Sequence, residues 1–187
     1  CVGCNQGCLD GFADLNMPHI TCLRNPAIGR ETECAAAMQP TRNPKTILIA
    51  GGGIAGLEAA RTLKLKGHNP ILCEAADALG GQFVLAGKAP RKEEMEAAIQ
   101  NMAAQVQRMG VDVRLNTPVT PELIEELKPA AVFNCIGATP LIPKIPGAEG
   151  AHVANSHDVL AGKVKPTGKV VIIGGGMVGM EVAELLA

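Results

Sequence analysis

Two groups of residues in this chain have the types and the spacing for chemistry. The first is Cys1-Val-Gly-Cys4-Asn-Gln-Gly-Cys8, joined after 13 intervening residues by Cys22 in Thr21-Cys22-Leu23-Arg24-Asn25-Pro26. Thiolates are soft donors, and four of them suit one [4Fe–4S] cluster or one zinc ion. Gly3 and Gly7 let so short a segment curl around a single centre. Structural zinc sites more often pair two similar knuckles, so a dense triplet with one distant cysteine favours iron–sulfur. Zinc and a metal-free segment stay open as alternatives. The second group is Gly51-x-Gly53-x-x-Gly56, directly after the apolar run Ile47 to Ala50. That spacing, between a strand and a helix, is the dinucleotide fingerprint. Gly51 permits the turn, Gly53 lets the backbone approach a pyrophosphate, and Gly56 lets helix and strand pack closely. The diphosphate belongs at the helix N-terminus, facing backbone N–H groups and the positive end of the dipole.

The elements that must position these residues can be read around them. Ile54, Leu57, Ala60 and Leu63 fall on one face of the helix behind the turn. Pro70 to Cys73 is a second apolar run and ends at Glu74, the acid expected about 20 residues beyond the glycines to bond a ribose hydroxyl. Gly80-Gly81-Gln82 reads as either a second close backbone approach to the cofactor or an ordinary loop. Residues 93–109 have the periodicity of an amphipathic helix, with Met95, Ala98, Ile99, Met102, Val106 and Met109 on the buried face and Gly110 as its stop. The methionines there are core residues. A third strand is expected at 111–115, a short helix at 121–127, and a buried strand at 130–136 ending at Gly137. Val119 sits in a loop that could lie along an adenine. The proline-rich stretch 140–147 is a rigid crossing. At 168–187 the pattern starts again: an apolar strand at 169–173, the glycines Gly174, Gly176 and Gly179, and a helix carrying Met177, Met180, Val182 and Leu185.

Three segments are therefore expected: 1–45, a cluster segment whose residues 35–44 are a connection; 46–150, a first dinucleotide unit; and 151–187, a linker and the first strand and helix of a second unit. The acid that would distinguish NADH from NADPH is expected beyond Ala187. A first residue other than Met, and an ending within a helical pattern, read as the two ends of a fragment.

Composition narrows the function. The 187 residues are 47% hydrophobic with a net charge of −1. No basic surplus points to nucleic acid or an acidic membrane surface, and no run approaches the length of a membrane span. With no Trp, no Tyr and three Phe, the chain supplies no tyrosine proton donor. Seven cysteines in an α/β chain suit a cytoplasmic setting and reduced thiols. Cys73 and Cys135 read as buried small hydrophobes; Cys34 carries no assignment. Oligomeric state and substrate are not legible.

The order of these motifs resembles the FAD-containing, C-terminal part of the iron–sulfur flavoenzymes related to old yellow enzyme. That group includes 2,4-dienoyl-CoA reductase, 2-enoate reductase and trimethylamine dehydrogenase. The motifs Cys1-Val-Gly-Cys4-Asn-Gln-Gly-Cys8-Leu-Asp10, Cys22-Leu-Arg-Asn-Pro26, Gly80-Gly-Gln-Phe83 and Pro143-Lys-Ile-Pro-Gly147 carry it. The resemblance implies an α/β fold: a Rossmann-like FAD-binding domain with a parallel sheet, preceded by an irregular iron–sulfur segment and followed by the start of a second Rossmann unit. It implies that Cys1, Cys4, Cys8 and Cys22 hold a [4Fe–4S] cluster. Ala55, Glu74, Gln82, Lys92 and Val119 would contact FAD beside Gly51, Gly53, Gly56, Gly81 and Gly137. Gly174, Gly176 and Gly179 would serve NAD(P)H. Electrons would pass from NAD(P)H through FAD and the cluster to FMN in an N-terminal barrel outside this chain, to reduce an activated C=C bond of a small-molecule substrate. Two other readings are an amine dehydrogenase of the trimethylamine dehydrogenase type and a non-catalytic nucleotide-binding module with a zinc knuckle.

Overall fold

The computed structural model describes residues 1–14, 16 and 19–187. In chain order its elements are α1 (Leu9–Ala13), α2 (Glu31–Ala37), β1 (Thr46–Ala50), α3 (Ile54–Leu65), β2 (Asn69–Cys73), α4 (Gln82–Ala86), α5 (Glu93–Arg108), β3 (Asp112–Arg114), α6 (Pro121–Leu127), β4 (Ala131–Asn134), α7 (Ser156–Leu160) and α8 (Met177–Leu186). The four strands form one parallel sheet in the order β3-β2-β1-β4. Parallel neighbours need crossover connections. Here α3 joins β1 to β2, and α4 and α5 join β2 to β3. The expected α/β class and parallel sheet are thus observed.

The core forms where two periodicities meet. Ile47 and Ile49 of β1 and Leu72 of β2 pack against Leu57, Ala60 and Leu63 of α3 and Ile99 and Val106 of α5. Met102 of α5 is partly buried against this cluster, as the amphipathic pattern of 93–109 requires. Leu48 and Ala50, on the opposite face of β1, are buried as well, which suits a central parallel strand covered on both sides. Met109 caps the C-terminus of α5, and Gly110 follows with φ +69°, the left-handed stop read from the sequence. α6 begins as its sequence dictates: Thr120 Oγ1 accepts the Leu123 N–H, and Pro121 occupies the first turn.

Several sequence expectations are corrected. Residues 35–37 belong to α2 rather than to a connection. β4 is not a buried strand: Val132 and Phe133 are 41% and 43% exposed. β4 lies at the sheet edge with β1 as its one neighbour, so an apolar run there is not covered. Cys135, just after it, is half-buried, whereas Cys73 in β2 is buried as expected. The run 169–173 forms no strand. A strand is defined by a neighbour, and no described strand pairs with this one; Val171 and Ile173 are exposed. On α8 only Val182 is buried, while Met177 and Met180 are exposed. Four short helices lacked a periodic signal: α1 and α2 in the cysteine segment, α4 at the Gly-Gly-Gln loop, and α7. The signal for α7 was its cap: Asn155 accepts the Asp158 N–H and donates to the Asp158 carboxylate.

Leu57 is fully buried between β1 and α5. Leu57→Ala is expected to lower unfolding free energy by about 2–5 kcal/mol, read from the midpoint of urea denaturation.

Candidate functional site

The first site lies at the carboxyl ends of β1, β2 and β4. From β1 the chain proceeds to β2 and β3 on one side, while β4 lies on the other. The edge beside β1 is therefore a topological switch point, where open α/β sheets bind ligands. Gly51 turns the chain there with φ +105°. A Cβ on Gly51 would overlap the Cys135 carbonyl, and one on Gly56 would overlap the Gly51 carbonyl oxygen. A Cβ on Gly53 would meet nothing within 4 Å. Gly51 and Gly56 are thus glycine because the turn is tight, and Gly53 faces open space where a ligand could come close. Gly53 caps the 12-residue α3 without a side-chain hydrogen bond, and Ala55 in its first turn is exposed. Uncapped N–H groups at such a terminus suit a diphosphate.

Glu74 closes one side of this turn. Its carboxylate accepts the Gly52 N–H at 2.6 Å and the Ala76 N–H at 2.8 Å. A carboxylate has about four acceptor directions, so two remain open to a ligand's donors. The backbone of Thr117 donates to the Glu74 carbonyl at 2.8 Å, which lays the Val119 loop alongside. The Gly80-Gly81-Gln82 segment forms the opposite wall. Gly80 bridges Gly53, and its N–H donates to the Gly52 carbonyl at 2.9 Å. The Gly80 backbone thus comes close to the first glycine turn itself. Gln82 then bonds the Ala138 carbonyl and ties the Gly137 loop to the same mouth.

Lys92 makes a contact with the second unit. Its ammonium pairs with Glu181 of α8, and Arg91 pairs with Glu184. Beneath these pairs Ala89, Val159, Leu160 and Val182 form a second, small core. The seam joins the α4–α5 connection to the second glycine unit. That unit repeats the first turn closely. Gly174 has φ +111°, and Gly176 has φ −78° and ψ −179° where Gly53 has −72° and −173°. A Cβ on Gly179 would overlap the Gly174 carbonyl oxygen, as at Gly56.

The cysteine segment is only partly assembled. The Thr21 N–H donates to the Gly7 carbonyl at 3.0 Å, and a Cβ on Gly7 would overlap Thr21. This pairing carries Cys22 across 13 residues to the first loop, and Cys4 and Cys22 line one cavity of about 290 Å³ with Gly7 and Thr21. Backbone N–H groups point at two sulfurs, Gly3 at Cys1 (3.3 Å) and Arg24 at Cys22 (3.4 Å). The Arg24 and Asn25 N–H groups hold the Cys22 thiol below its usual pKa, which favours the thiolate that binds metal. Burial pushes the Cys73 and Cys135 thiols up, in keeping with inert packing residues. The donor chemistry of the four cysteines fits a soft metal centre. Their expected closure around one centre is not observed: among the described residues, no three Cys, His, Asp or Glu side chains converge to hold a metal ion. Cys1 and Cys8 are exposed, no core cluster anchors the loop, and metal binding commonly supplies the energy that forms such a site.

Residues 45–187 match the family model for pyridine nucleotide-disulphide oxidoreductases. The chain belongs to that family. Family membership supports binding of FAD and a pyridine nucleotide. It is 40% identical to a metal reductase of Desulforamulus reducens over all of this chain and 28% of the relative. It is 35% identical to a cinnamate reductase of Clostridium sporogenes over 98% of this chain and 27% of the relative. An N,N-dimethylglycine/sarcosine dehydrogenase of Chromohalobacter salexigens is 34% identical over 92% of this chain and 26% of its own. The solved structure of a 2-naphthoyl-CoA reductase complex superposes with a TM-score of 0.90 at 36% identity, covering 98% of this chain and 28% of that one. These similarities bear out the resemblance to the flavoenzymes related to old yellow enzyme. The chain spans less than a third of the length of these relatives. Among the described residues no helix is long and apolar enough to cross a membrane.

Two measurements test the placement of these side chains. Glu74→Ala is expected to weaken FAD binding by roughly 1–3 kcal/mol, read by flavin fluorescence on titration; unchanged affinity would remove Glu74 from the ribose. Lys92→Met is expected to leave FAD affinity unchanged and to speed amide exchange across residues 177–186 by roughly twofold to fivefold, since a half-exposed ion pair contributes little. A fall in flavin affinity instead would return Lys92 to the cofactor.

Proposed function

We propose that this chain is the electron-transfer part of an NAD(P)H:flavin oxidoreductase that reduces an activated C=C bond of an enoate or acyl-CoA type. The observation that carries this reading is the pair of glycine turns with matching backbone dihedrals in one chain. One has an acid seated at the position that suits the ribose of FAD, and the other is free for NAD(P)H. Relatives named as reductases of cinnamate and 2-naphthoyl-CoA support the substrate class.

In this reading Gly53, Ala55 and the α3 N-terminus hold the FAD diphosphate, Glu74 its ribose, and Val119 lies by the adenine. Gly81, Gln82 and Gly137 shape the mouth toward the flavin. Gly174, Gly176 and Gly179 admit the pyridine nucleotide. Cys1, Cys4, Cys8 and Cys22 hold a [4Fe–4S] cluster. A hydride donor delivers two electrons together and a cluster accepts one, so a flavin between them supplies the conversion. The thiolate form of Cys22, favoured by two backbone N–H groups, is the form ligation needs. FMN and the substrate pocket would belong to the part of the longer protein outside this chain, and a cytoplasmic setting would suit the reduced thiols.

The dimethylglycine/sarcosine dehydrogenase favours a second reading, amine oxidation with electrons flowing outward. Anaerobic assay of the full-length protein separates the two: NAD(P)H consumption with an enoyl-CoA supports the first, and amine-dependent reduction of an acceptor the second. Cys4→Ala in the full-length protein is expected to abolish iron and acid-labile sulfide while FAD content persists. Iron and sulfide retained in full would remove Cys4 from the ligand set, and zinc in place of iron in the unaltered protein would favour the zinc knuckle.

A further inference from the structure

Arg24 stands two residues beyond Cys22 and bonds in both directions. Its backbone N–H donates to the Cys22 sulfur at 3.4 Å. Its guanidinium Nη1 donates to the Ala98 carbonyl of α5 at 3.2 Å, in a half-buried position 74 residues away in sequence. Among the described residues this is the only hydrogen bond from residues 1–30 to the first dinucleotide unit. Neither core cluster takes a residue from 1–45. Among the described residues the Arg24 side chain is thus the one hydrogen-bonded tie from the cysteine loop itself, and the next lie past α2, where Ala37 and Thr41 bond Lys66.

What Arg24 grips is rigid. Ala98 and Ile99 are buried on the inner face of α5. Ile99 belongs to the main core cluster, and Leu79 and Val84, which flank the Gly80 wall, pack against that cluster. Gly80 in turn bonds Gly52 and bridges Gly53. Hydrogen bonds thus link the Cys22 sulfur through Arg24 to α5, and the core cluster around Ile99 links α5 to the residues that flank Gly80 beside the first glycine turn. A carbonyl oxygen already used in a helix ladder keeps a second lone pair. The planar, permanently charged guanidinium reaches that lone pair with a preorganised donor.

We propose that Arg24 is a positioning residue: it fixes the cysteine loop on α5 and so sets the separation between a centre held by the four cysteines and a flavin held at the Gly51 turn. The anchoring rests on the geometry above, and the separation rests also on the relay reading of the function.

The test compares Arg24→Ala and Arg24→Lys in the full-length protein with the unaltered enzyme. Three quantities are measured: amide exchange over residues 1–30, iron and FAD content, and the anaerobic rate of cluster reduction after mixing with NAD(P)H. Arg24→Ala is expected to keep iron and FAD and to exchange roughly tenfold faster in the loop. It should reduce the flavin at the normal rate but the cluster more slowly. Arg24→Lys, which keeps a donor but not the fork, should fall between; it also carries the test if the alanine variant does not fold. Unmoved exchange and unmoved cluster reduction overturn the proposal. Loss of iron in both variants overturns it too, since Arg24 would then serve assembly. Unaltered protein without iron would sink the relay reading and the separation claim together, with exchange still deciding the anchor.

Discussion

The tightest constraint in the molecule is the approach of the Gly51 carbonyl to the backbone of Gly56. No side chain fits between them, so the end of β1 and the start of α3 meet at backbone distance. Everything at the first site is referred to that turn. It presents the Gly52 N–H to Glu74 and the Gly52 carbonyl to Gly80. It also leaves the first N–H groups of α3 without a side-chain partner. A larger residue at either glycine would separate strand from helix and dismantle the walls on both sides at once.

The same turn recurs at Gly174 with nearly the same dihedrals, yet what surrounds it differs. At the first turn a paired strand leads in, and a second strand brings Glu74. At the second, residues 169–173 have no strand neighbour, and α8 is held chiefly by Val182 and by its two carboxylates, Glu181 and Glu184. Local backbone geometry is thus set by the glycines themselves, while the acid, the walls and the burial must be brought by elements distant in sequence. The contrast explains why one turn has a complete rim among the described residues and the other does not.

The cysteine segment follows a third regime. Among the described residues it joins neither core cluster nor the sheet, and the Thr21–Gly7 and Arg24–Ala98 bonds help to give it a place. Backbone N–H groups favour the thiolate of Cys22, whereas burial pushes the Cys73 and Cys135 thiols up. Two environments therefore divide the cysteines of one chain into potential ligands and packing residues.

Much of the fold was legible in the sequence wherever a short-range rule decides. The turn at Gly51, α3 and α5 with their buried faces, the Thr120 cap and the stop at Gly110 all follow from sterics or periodicity within a few residues. Glu74 was legible because strand length and helix length set its distance from the glycines. Other features depend on which partner lies opposite. Lys92 was expected beside FAD and pairs with Glu181. The run 130–136 is apolar but lies at an edge, 169–173 is apolar but finds no neighbour, and four cysteines in a suggestive spacing do not close on one another. By itself the sequence determined the backbone turns and the elements behind them, because glycine sterics and side-chain periodicity act locally. Only the tertiary structure decided which charges meet, which strands pair and how the cysteine loop is held, because each of those needs a second group supplied from far along the chain.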